Sequence, residues 1–409
     1  MGVLTVPIHQ VLEDGSLRRL GHWLHAERRL ELEVNGFPLL GVGSHSIEGD
    51  LPWLFWDMCP SGFLGKRFAR LEAGLALNSD PRTWSRDDAL RALTEAGDDL
   101  PGNLIIGEHS LERWQTSRAR EAAWEVEARS FDAGELDVIA GRTRRPDGTV
   151  IISRRPWDPP AEIDDWLSSE SSNSSSSLGG ERPKLAVRTS SGGVLFKFSP
   201  PVPPPNAPSP GAAGTPQGQR WADLLRVEAH CSQTLVAHGV DAVDSRAGYS
   251  LNGRVVLEVV RFDRTPGLGR RGASTLYWYA MARLGDVNVP APRVVAALVE
   301  DGHLPASALP LVERVHAFSA AIANTDAHLG NYGLVFDESG RASLAPFYDI
   351  LPMALAPSND ELPDARLRPS RPPVDSVVET WVNDLVRRVS ADDEISTPFR
   401  ELWLRVIGR

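Results

Sequence analysis

The segment that most constrains this chain runs from Asn324 to Leu334 and reads Asn-Thr-Asp-Ala-His-Leu-Gly-Asn-Tyr-Gly-Leu. It places a carboxylate at Asp326, an amide five positions later at Asn331, and a second carboxylate at Asp349 after an apolar stretch. Phosphoryl transfer needs such a set, because one carboxylate orients and deprotonates the attacking hydroxyl while the other oxygens bind Mg²⁺. The spacing therefore predicts Asp326 as the catalytic base and Asn331 and Asp349 as metal ligands.

The residues between the two carboxylates predict a β-hairpin that would bring them together. Two apolar runs, Tyr332–Phe336 and Ala342–Ala345, are separated by the turn residues Asp-Glu-Ser-Gly. A simpler interpretation is that Asn, Asp and Gly only form a turn after a helix. We disfavour it for the whole set, since Ser307–Ala323 predicts an apolar helix leading directly into the segment, where uncompensated carboxylates would be costly.

These residues also carry a family resemblance. Asn-Thr-Asp-Ala-His-x-x-Asn, followed by Phe347-Tyr348-Asp349, resembles the catalytic segment of the HipA-type toxin serine/threonine kinases. The resemblance implies an α+β class, two-lobed, protein-kinase-like (HipA-like) fold with a small N-terminal β-rich domain and a helical C-terminal lobe. It covers nearly the whole chain and is specific in residues 176–198, 258–264 and 324–349. His328 would brace the catalytic loop by hydrogen bonds, and a second base is the other interpretation of this residue.

Composition excludes several other classes of protein. The 409 residues are enough for two or three cores, and no apolar run approaches the length of a membrane span. The N-terminus has neither a basic region nor an apolar signal segment, so we expect a cytoplasmic protein without a membrane partner. Cys59 and Cys231 lack the spacing of a disulfide framework or zinc site. A net charge of −11 argues against direct binding to a nucleic-acid backbone.

The chain divides into three predicted parts. Residues 1–155 form an N-terminal HipA-like domain, which ends at the proline-rich stretch Arg154–Pro160. Residues 156–260 form the N-lobe of a kinase, and residues 261–409 form its helical C-lobe with the catalytic loop. Within the first domain, the run from Asp57 to Gly65, with its Gly-Phe-Leu-Gly element, is similar to one in the YjjJ-like subgroup of HipA-like proteins.

A serine tract precedes the predicted N-lobe strands. Residues 168–177 are mostly serine, a composition that by itself predicts a flexible linker. The tract ends just before Gly179 and Gly180, and strands are predicted to follow over Lys184–Arg188 and Val194–Phe198. It therefore occupies the position of a kinase nucleotide loop, whose backbone N–H groups cradle phosphates.

The resemblance adds detail to this loop. HipA-type kinases carry Ser-x-x-Gly-x-x-x-Lys at this point, matched here by Ser177, Gly180 and Lys184. In these kinases a loop serine is autophosphorylated, and we expect the same of Ser176 or Ser177. A phosphate there would bring negative charge into the space of the ATP phosphates, so autophosphorylation would inhibit the kinase. A plain tether is the alternative for the tract.

A lysine interrupts the second predicted strand of the N-lobe. An isolated buried ammonium is costly, so Lys197 is predicted either to face solvent or to pair with an anion. In a kinase, this lysine binds the α- and β-phosphates of ATP and pairs with a helix glutamate. Glu228, in the helix predicted over Trp221–His238, is the candidate partner. Residues 200–218 between them are rich in Pro, Gly and Ala and predict a disordered insertion.

A third strand, predicted over Val255–Val260, leads into Arg-Phe-Asp-Arg. The hinge of HipA-type kinases is closely similar, which implies hydrogen bonds from adenine to backbone near Val260 and Phe262. Two positions depart from the family pattern: many relatives have Glu in place of Val260, and relatives often have Lys in place of Gly330. The second departure leaves one phosphate-neutralising charge missing or supplied elsewhere.

Together these features predict an ATP- and Mg²⁺-dependent protein serine/threonine kinase of the HipA toxin type. The resemblance implies a protein substrate among the components of translation and a helix-turn-helix antitoxin as partner. No such helix pair is predicted before Val3, and the chain is acidic, so we expect no autonomous nucleic-acid binding. Two alternatives stay open: a non-catalytic nucleotide-binding partner in an antitoxin complex, and a small-molecule kinase. The complete set of site residues disfavours the first, and only the resemblance disfavours the second.

Overall fold

The structure is a computed structural model that describes part of the chain. The described residues are 5–25, 29–32, 51, 53–130, 143–144, 150–151, 184–189, 192–202, 214–249, 253–265, 268–358, 361–370 and 372–409. The predicted boundary near residue 155, the serine tract and the site residues Ser176, Ser177, Gly179 and Gly180 lie outside them. Among the described helices, none combines the length and the apolar character needed to cross a membrane.

A four-stranded antiparallel sheet organises the N-terminal domain. In sheet order its strands are β3 (Arg29–Leu32), β2 (Leu17–Leu24), β1 (Thr5–Val11) and β4 (Leu104–Ile106). Among the described residues of this domain, the helices that accompany the sheet are α1 (Trp53–Met58), α2 (Gly62–Leu71), α3 (Arg86–Ala96) and α4 (Glu108–Ser130). Ser85 and Asp88 form a capping box at the start of α3.

After a short ribbon formed by β5 (Thr143–Arg144) and β6 (Val150–Ile151), the predicted N-lobe contains a second antiparallel sheet. In sheet order its strands are β7 (Lys184–Thr189), β8 (Gly192–Pro201), β10 (Arg254–Val260) and β9 (Ser245–Tyr249). The long helix α5 (Pro216–Ala237) packs across β8 and β10. Each predicted strand and the predicted helix of this region is therefore present.

The predicted insertion over residues 200–218 is too long at both ends. β8 continues to Pro201, and the N–H of Val202 still donates to the carbonyl of Gly253 at 2.7 Å. α5 begins at Pro216, five residues before the predicted start at Trp221. The Thr215 hydroxyl accepts a hydrogen bond from Gly218 N–H at the helix start, and proline is well suited to the first helical turn. Prolines that suggested disorder thus begin a helix.

The predicted C-lobe is mostly helical. Its helices are α6 (Leu276–Leu284), α7 (Ala291–Glu300), α8 (Ala308–Ala321), α9 (Ser376–Ala391) and α10 (Thr397–Val406). They enclose a core that includes Val312, Phe318, Leu385 and Trp403. A small sheet adds β11 (Gly272–Thr275), β12 (Gly333–Phe336) and β13 (Ala342–Leu344) in that order. The predicted hairpin is thus present as β12–β13, and α8 leads into the catalytic segment as expected.

The two lobes are joined by backbone hydrogen bonds close to Asp349. Ala242, just before β9, forms a parallel bridge with Phe347. The N–H of Val243 donates to the Phe347 carbonyl at 3.0 Å, and the N–H of Phe347 donates to the Asp241 carbonyl at 2.9 Å. This bridge fixes the chain that carries Asp349 beside the sheet of the N-lobe.

Candidate active site

Three predicted site residues from separate elements meet in one buried cluster. Lys197 lies on β8, Glu228 on α5 and Asp349 after the β12–β13 hairpin. The Lys197 Nζ donates to Glu228 Oε1 at 2.6 Å and to Asp349 Oδ1 at 2.5 Å. Of the two interpretations of Lys197, the paired one holds in the structure. The side chains of Lys197 and Glu228 are 9% and 3% exposed, so solvent contributes little to their charge balance.

Burial and charge compete in setting the pKa values of this cluster. Burial alone would lower the pKa of Lys197, but Asp349 and Glu228 outweigh it and raise that pKa. Burial would raise the pKa of Asp349, yet Lys197 and then Lys184 hold it below the usual range. For Glu228 burial prevails over Lys197, and the pKa of Glu228 is raised. The cluster thus holds a firmly protonated lysine against an ionised Asp349.

Lys184 lies beside this cluster. In the β7–β8 register it stands directly opposite Lys197, and opposed residues of a ladder project from the same face of a sheet. Its positive charge helps to lower the pKa of Asp349 and offsets a small part of the rise that burial causes in the pKa of Glu228. Two adjacent cations on one face repel each other unless anions lie between them. This face of the sheet therefore favours the binding of phosphate groups.

Asp349 adopts a left-handed backbone conformation, with φ of 58°. Aspartate is one of the few residues other than glycine that tolerate this region. The preceding Tyr348 donates its hydroxyl to the carbonyl of Gly330 at 2.9 Å, and its ring lies 5.7 Å from that of Phe262. Tyr348 thereby connects the catalytic loop to the hinge region. The sequence signal for this role is a hydroxyl next to Asp349 in an otherwise apolar run, from which no role for Tyr348 was predicted.

The catalytic loop is held by hydrogen bonds within itself. The Asn331 side-chain N–H donates to the carbonyl of Asp326 at 2.7 Å, and the Asp326 N–H donates to Asn324 Oδ1 at 3.0 Å. Because the amide nitrogen of Asn331 is engaged in this way, its oxygen is the atom available to a ligand. The Asp326 side chain is 51% exposed, which leaves its carboxylate accessible to a large substrate.

His328 braces the same loop. Its Nδ1 accepts a hydrogen bond from the N–H of Gly330 at 3.0 Å, which places the ring proton on Nε2, 3.8 Å from Asp326 Oδ1. A Cβ at position 330 would lie only 2.8 Å from the imidazole Cε1. Any residue larger than glycine would therefore move the ring. The glycine at position 330, where relatives often have lysine, therefore permits the observed position of the His328 ring.

The predicted metal ligands suit magnesium by chemistry. Asp349 offers a carboxylate and Asn331 an amide oxygen, the hard donors that Mg²⁺ prefers. Within the described ranges, no group of three or more His, Cys, Asp or Glu residues could hold a metal alone. Mg²⁺ usually completes its shell with water and substrate phosphates, so two protein donors fit this ion. Asn331 and Asp349 would hold it, and it would neutralise charge on the phosphates.

The hinge residues form hydrogen bonds and ion pairs with both the N-lobe and the N-terminal domain. The N–H of Val260 donates to the carbonyl of Asp244 at 2.9 Å. In the following Arg-Phe-Asp-Arg, Asp263 accepts from Arg264 Nη1 at 2.7 Å and from the N–H of Gly102 at 3.0 Å. Arg264 also pairs with Asp99 at 3.1 Å. The charged residues of this motif therefore join domains, while Phe262 faces Tyr348.

Comparison with protein families gives the class of this fold and site. Residues 176–373 match the family model of the HipA-like C-terminal domain, which contains Lys197, the catalytic loop and Asp349. The class is therefore that of HipA-like proteins, and the predicted two-lobed α+β fold is confirmed.

The N-terminal part narrows this assignment. Residues 3–115 match the middle domain of YjjJ-like toxins. The chain is 31% identical to Toxin YjjJ of Escherichia coli (strain K12) over 367 residues, which covers 88% of this chain and 72% of that relative. The chain belongs to the YjjJ-like toxins, and the predicted family is confirmed.

Two solved structures resemble the chain at low identity. One is the Shewanella oneidensis MR-1 toxin–antitoxin complex of HipA, HipB and operator DNA, with a TM-score of 0.48, 14% identity, and coverage of 87% of this chain and 83% of that chain. The other is the Helicobacter pylori proinflammatory kinase CtkA, with a TM-score of 0.35, 12% identity, and coverage of 57% and 88%.

Proposed function

We propose that this protein is a cytoplasmic, ATP- and Mg²⁺-dependent protein serine/threonine kinase of the HipA toxin type. The observation that carries the proposal is the meeting of Lys197, Glu228 and Asp349 within hydrogen-bonding distance, from three elements far apart in sequence. A lysine–glutamate pair next to a metal-binding aspartate is the arrangement that phosphoryl transfer from ATP requires. Membership of the HipA-like family supports the same reaction.

Each site residue has a separate role in the proposed reaction. Lys197 and Lys184 bind phosphate oxygens, and Asp349 with Asn331 holds Mg²⁺. Asp326 accepts the proton of a serine or threonine hydroxyl as its oxygen bonds to the γ-phosphorus. The bond from that phosphorus to the β–γ bridging oxygen breaks, and ADP leaves. His328 keeps the Asp326 loop in shape.

A protein substrate fits the site better than a small molecule. Asp326 and His328 have side chains that are 51% and 59% exposed, so the base lies on an open surface. An open site suits a segment of a protein, whereas small-molecule sites are usually enclosed. We propose a component of translation as the substrate class, a helix-turn-helix antitoxin as the partner, and no autonomous DNA binding.

Asp326→Asn tests the catalytic assignment. This change removes the base and leaves the nucleotide and metal ligands, so phosphotransfer should fall by about a hundredfold or more while ATP still binds. The measurement is transfer of labelled phosphate in a bacterial lysate with Mg²⁺, together with calorimetry of ATP binding. Asp286→Asn is the control, because this exposed C-lobe carboxylate only accepts a local hydrogen bond from the N–H of Asn288. Wild-type turnover in Asp326→Asn would refute the role of the base.

The wild type and Asp326→Asn together also test autophosphorylation. Mass spectrometry should find phosphate on Ser176 or Ser177 in the wild type and none in Asp326→Asn. An unmodified tract in an active enzyme would show that residues 168–177 are only a tether.

A further inference from the structure

A carboxylate of the N-terminal domain, Asp57 in α1, reaches into the C-lobe. It accepts hydrogen bonds from the backbone N–H of Thr275 at 2.7 Å and from the Thr275 hydroxyl at 2.6 Å. Thr275 is the N-cap of α6, yet its hydroxyl does not cap its own helix. Asp57 therefore supplies the negative charge that favours the N-terminus of α6.

Thr275 is connected directly to the segment that carries Asn331. It pairs with Gly333 across the β11–β12 ladder, and the next N–H, that of Leu276, donates to the carbonyl of Tyr332 at 2.9 Å. A Cβ at Gly333 would lie 3.3 Å from the carbonyl oxygen of Ser274, so the two strands approach closely. The position of Thr275 therefore determines the path of the chain immediately after Asn331.

Asp57 also influences Tyr348, the second residue that holds the catalytic loop. Burial, followed by the charge of Asp57, raises the pKa of Tyr348, whose hydroxyl donates to the Gly330 carbonyl. Beside Asp57, the Trp56 ring stacks on the Trp278 ring of α6, with centroids 6.0 Å apart and planes at 20°. The stacked rings thus add a second contact between α1 and α6.

We propose that Asp57 is a positioning residue for phosphotransfer: through Thr275, it holds residues 326–331 in their catalytic geometry. The inference rests on the proposed function, because it acts through the base Asp326 and the metal ligand Asn331. Lys197 and Glu228 stand on elements that Asp57 does not contact. Loss of Asp57 therefore slows the chemical step and leaves the nucleotide affinity measured without Mg²⁺ unchanged. This positioning role gives the YjjJ-like N-terminal domain a part in the reaction.

Three substitutions test this contact. Asp57→Asn removes the charge, Thr275→Val removes the hydroxyl donor at nearly constant volume, and Thr275→Ser keeps that donor. Small misplacements of catalytic groups are costly, so kcat should fall about 10- to 100-fold in the first two variants, with an unchanged Kd for ATP measured without Mg²⁺. Thr275→Ser should retain the wild-type kcat. Glu13→Gln is the matched control, because Glu13 pairs with Arg271 across the same two domains at 3.0 Å.

The pH profile provides a second readout. Burial raises the pKa of Asp57 to about 6, so wild-type kcat should fall as the pH decreases through 6. Asp57→Asn should lack this acidic limb. Among the described residues, Cys59 and Tyr348 are the titratable groups whose pKa the charge of Asp57 raises. Burial raises the pKa of the Cys59 thiol to about 12 and that of Tyr348 above its ordinary value, so both stay protonated over this range.

Hydrogen exchange of residues 324–334 without nucleotide separates this inference from the proposed function. Faster exchange there in Asp57→Asn, at an unchanged Tm, supports the positioning role independently of activity. A wild-type protein that transfers no phosphate refutes the proposed function alone. Unchanged exchange together with unchanged kcat in Asp57→Asn and Thr275→Val overturns the positioning role. A fall in kcat that only parallels a fall in Tm, without rescue by Thr275→Ser, also overturns it.

Discussion

At the scale of single residues, Asp349 combines a charge with a left-handed backbone, and two substitutions separate these properties. Asp349→Asn removes the charge and keeps a residue type that tolerates φ of 58°. Asp349→Ala removes the charge and adds about 1–2 kcal/mol of backbone strain. We expect both variants to lose the Mg²⁺ dependence of ATP affinity in calorimetry, and only the alanine variant to show the added loss in unfolding free energy. A normal Mg²⁺ dependence in either variant would remove Asp349 from the metal site.

At the scale of elements, α5 is held from outside by residues 392–396, the loop between α9 and α10, which we call the α5 strap. Asp223, buried on α5, accepts hydrogen bonds from the Ser396 N–H at 2.9 Å and from its hydroxyl at 2.6 Å. One turn apart on the same face, Arg226 pairs with Glu394 and His230 with Asp392. Since α5 also carries Glu228, the strap keeps the lysine–glutamate pair in place.

Ser396→Ala tests the strap. Removing one donor from a buried carboxylate costs about 1–3 kcal/mol, and we expect that loss in urea denaturation together with weaker ATP binding. Ser396→Thr restores the donor and should restore both properties. Ser390→Ala, at an exposed position nearby, is the control and should change stability by less than about 0.5 kcal/mol. Unaltered stability in Ser396→Ala would show that the strap does not hold α5.

At the scale of the whole molecule, the buried ion network around Asp263 joins the N-terminal domain to the hinge. Burial would raise the pKa of Asp263, but Arg261 and Arg264 outweigh it and hold that pKa below its usual value. A lowered pKa means that the stabilisation is present above the unfolded-state value near 4 and is lost as the pH falls below it. The domains should therefore separate on acidification.

Asp263→Asn should produce this separation at neutral pH. It leaves two buried arginines without their shared anion, which costs about 3–5 kcal/mol. Calorimetry should show one unfolding transition for the wild type and an earlier, divided transition for the variant. Asp301→Asn is the control, because Asp301 pairs with Arg283 at 2.7 Å within the C-lobe. A single transition at the wild-type Tm would mean that this network does not couple the domains.

Local sequence patterns were sufficient for most elements near the site. Apolar runs broken by turn residues predicted β8, β10 and the β12–β13 hairpin, because strand and turn preferences act over a few residues. The order of Asp326, Asn331 and Asp349 indicated phosphoryl transfer, since the reaction requires those donors at that spacing. At residues 200–218 the predicted disorder is wrong at both ends of the segment, because proline favours both disordered segments and the first turn of a helix.

The sequence by itself thus determined the family of the chain and predicted a class of chemistry with the residues to carry it, since the side chains that bind phosphate and metal are few and their order along the chain is characteristic. Only the tertiary structure decided that Lys197 pairs with Asp349 as well as with the predicted Glu228, because Asp349 lies 152 residues away. It alone also placed Asp57 against Thr275, 218 residues apart. No local pattern encodes such contacts. They follow from the packing of whole elements, which brings buried charges to partners that offset the free-energy cost of their burial.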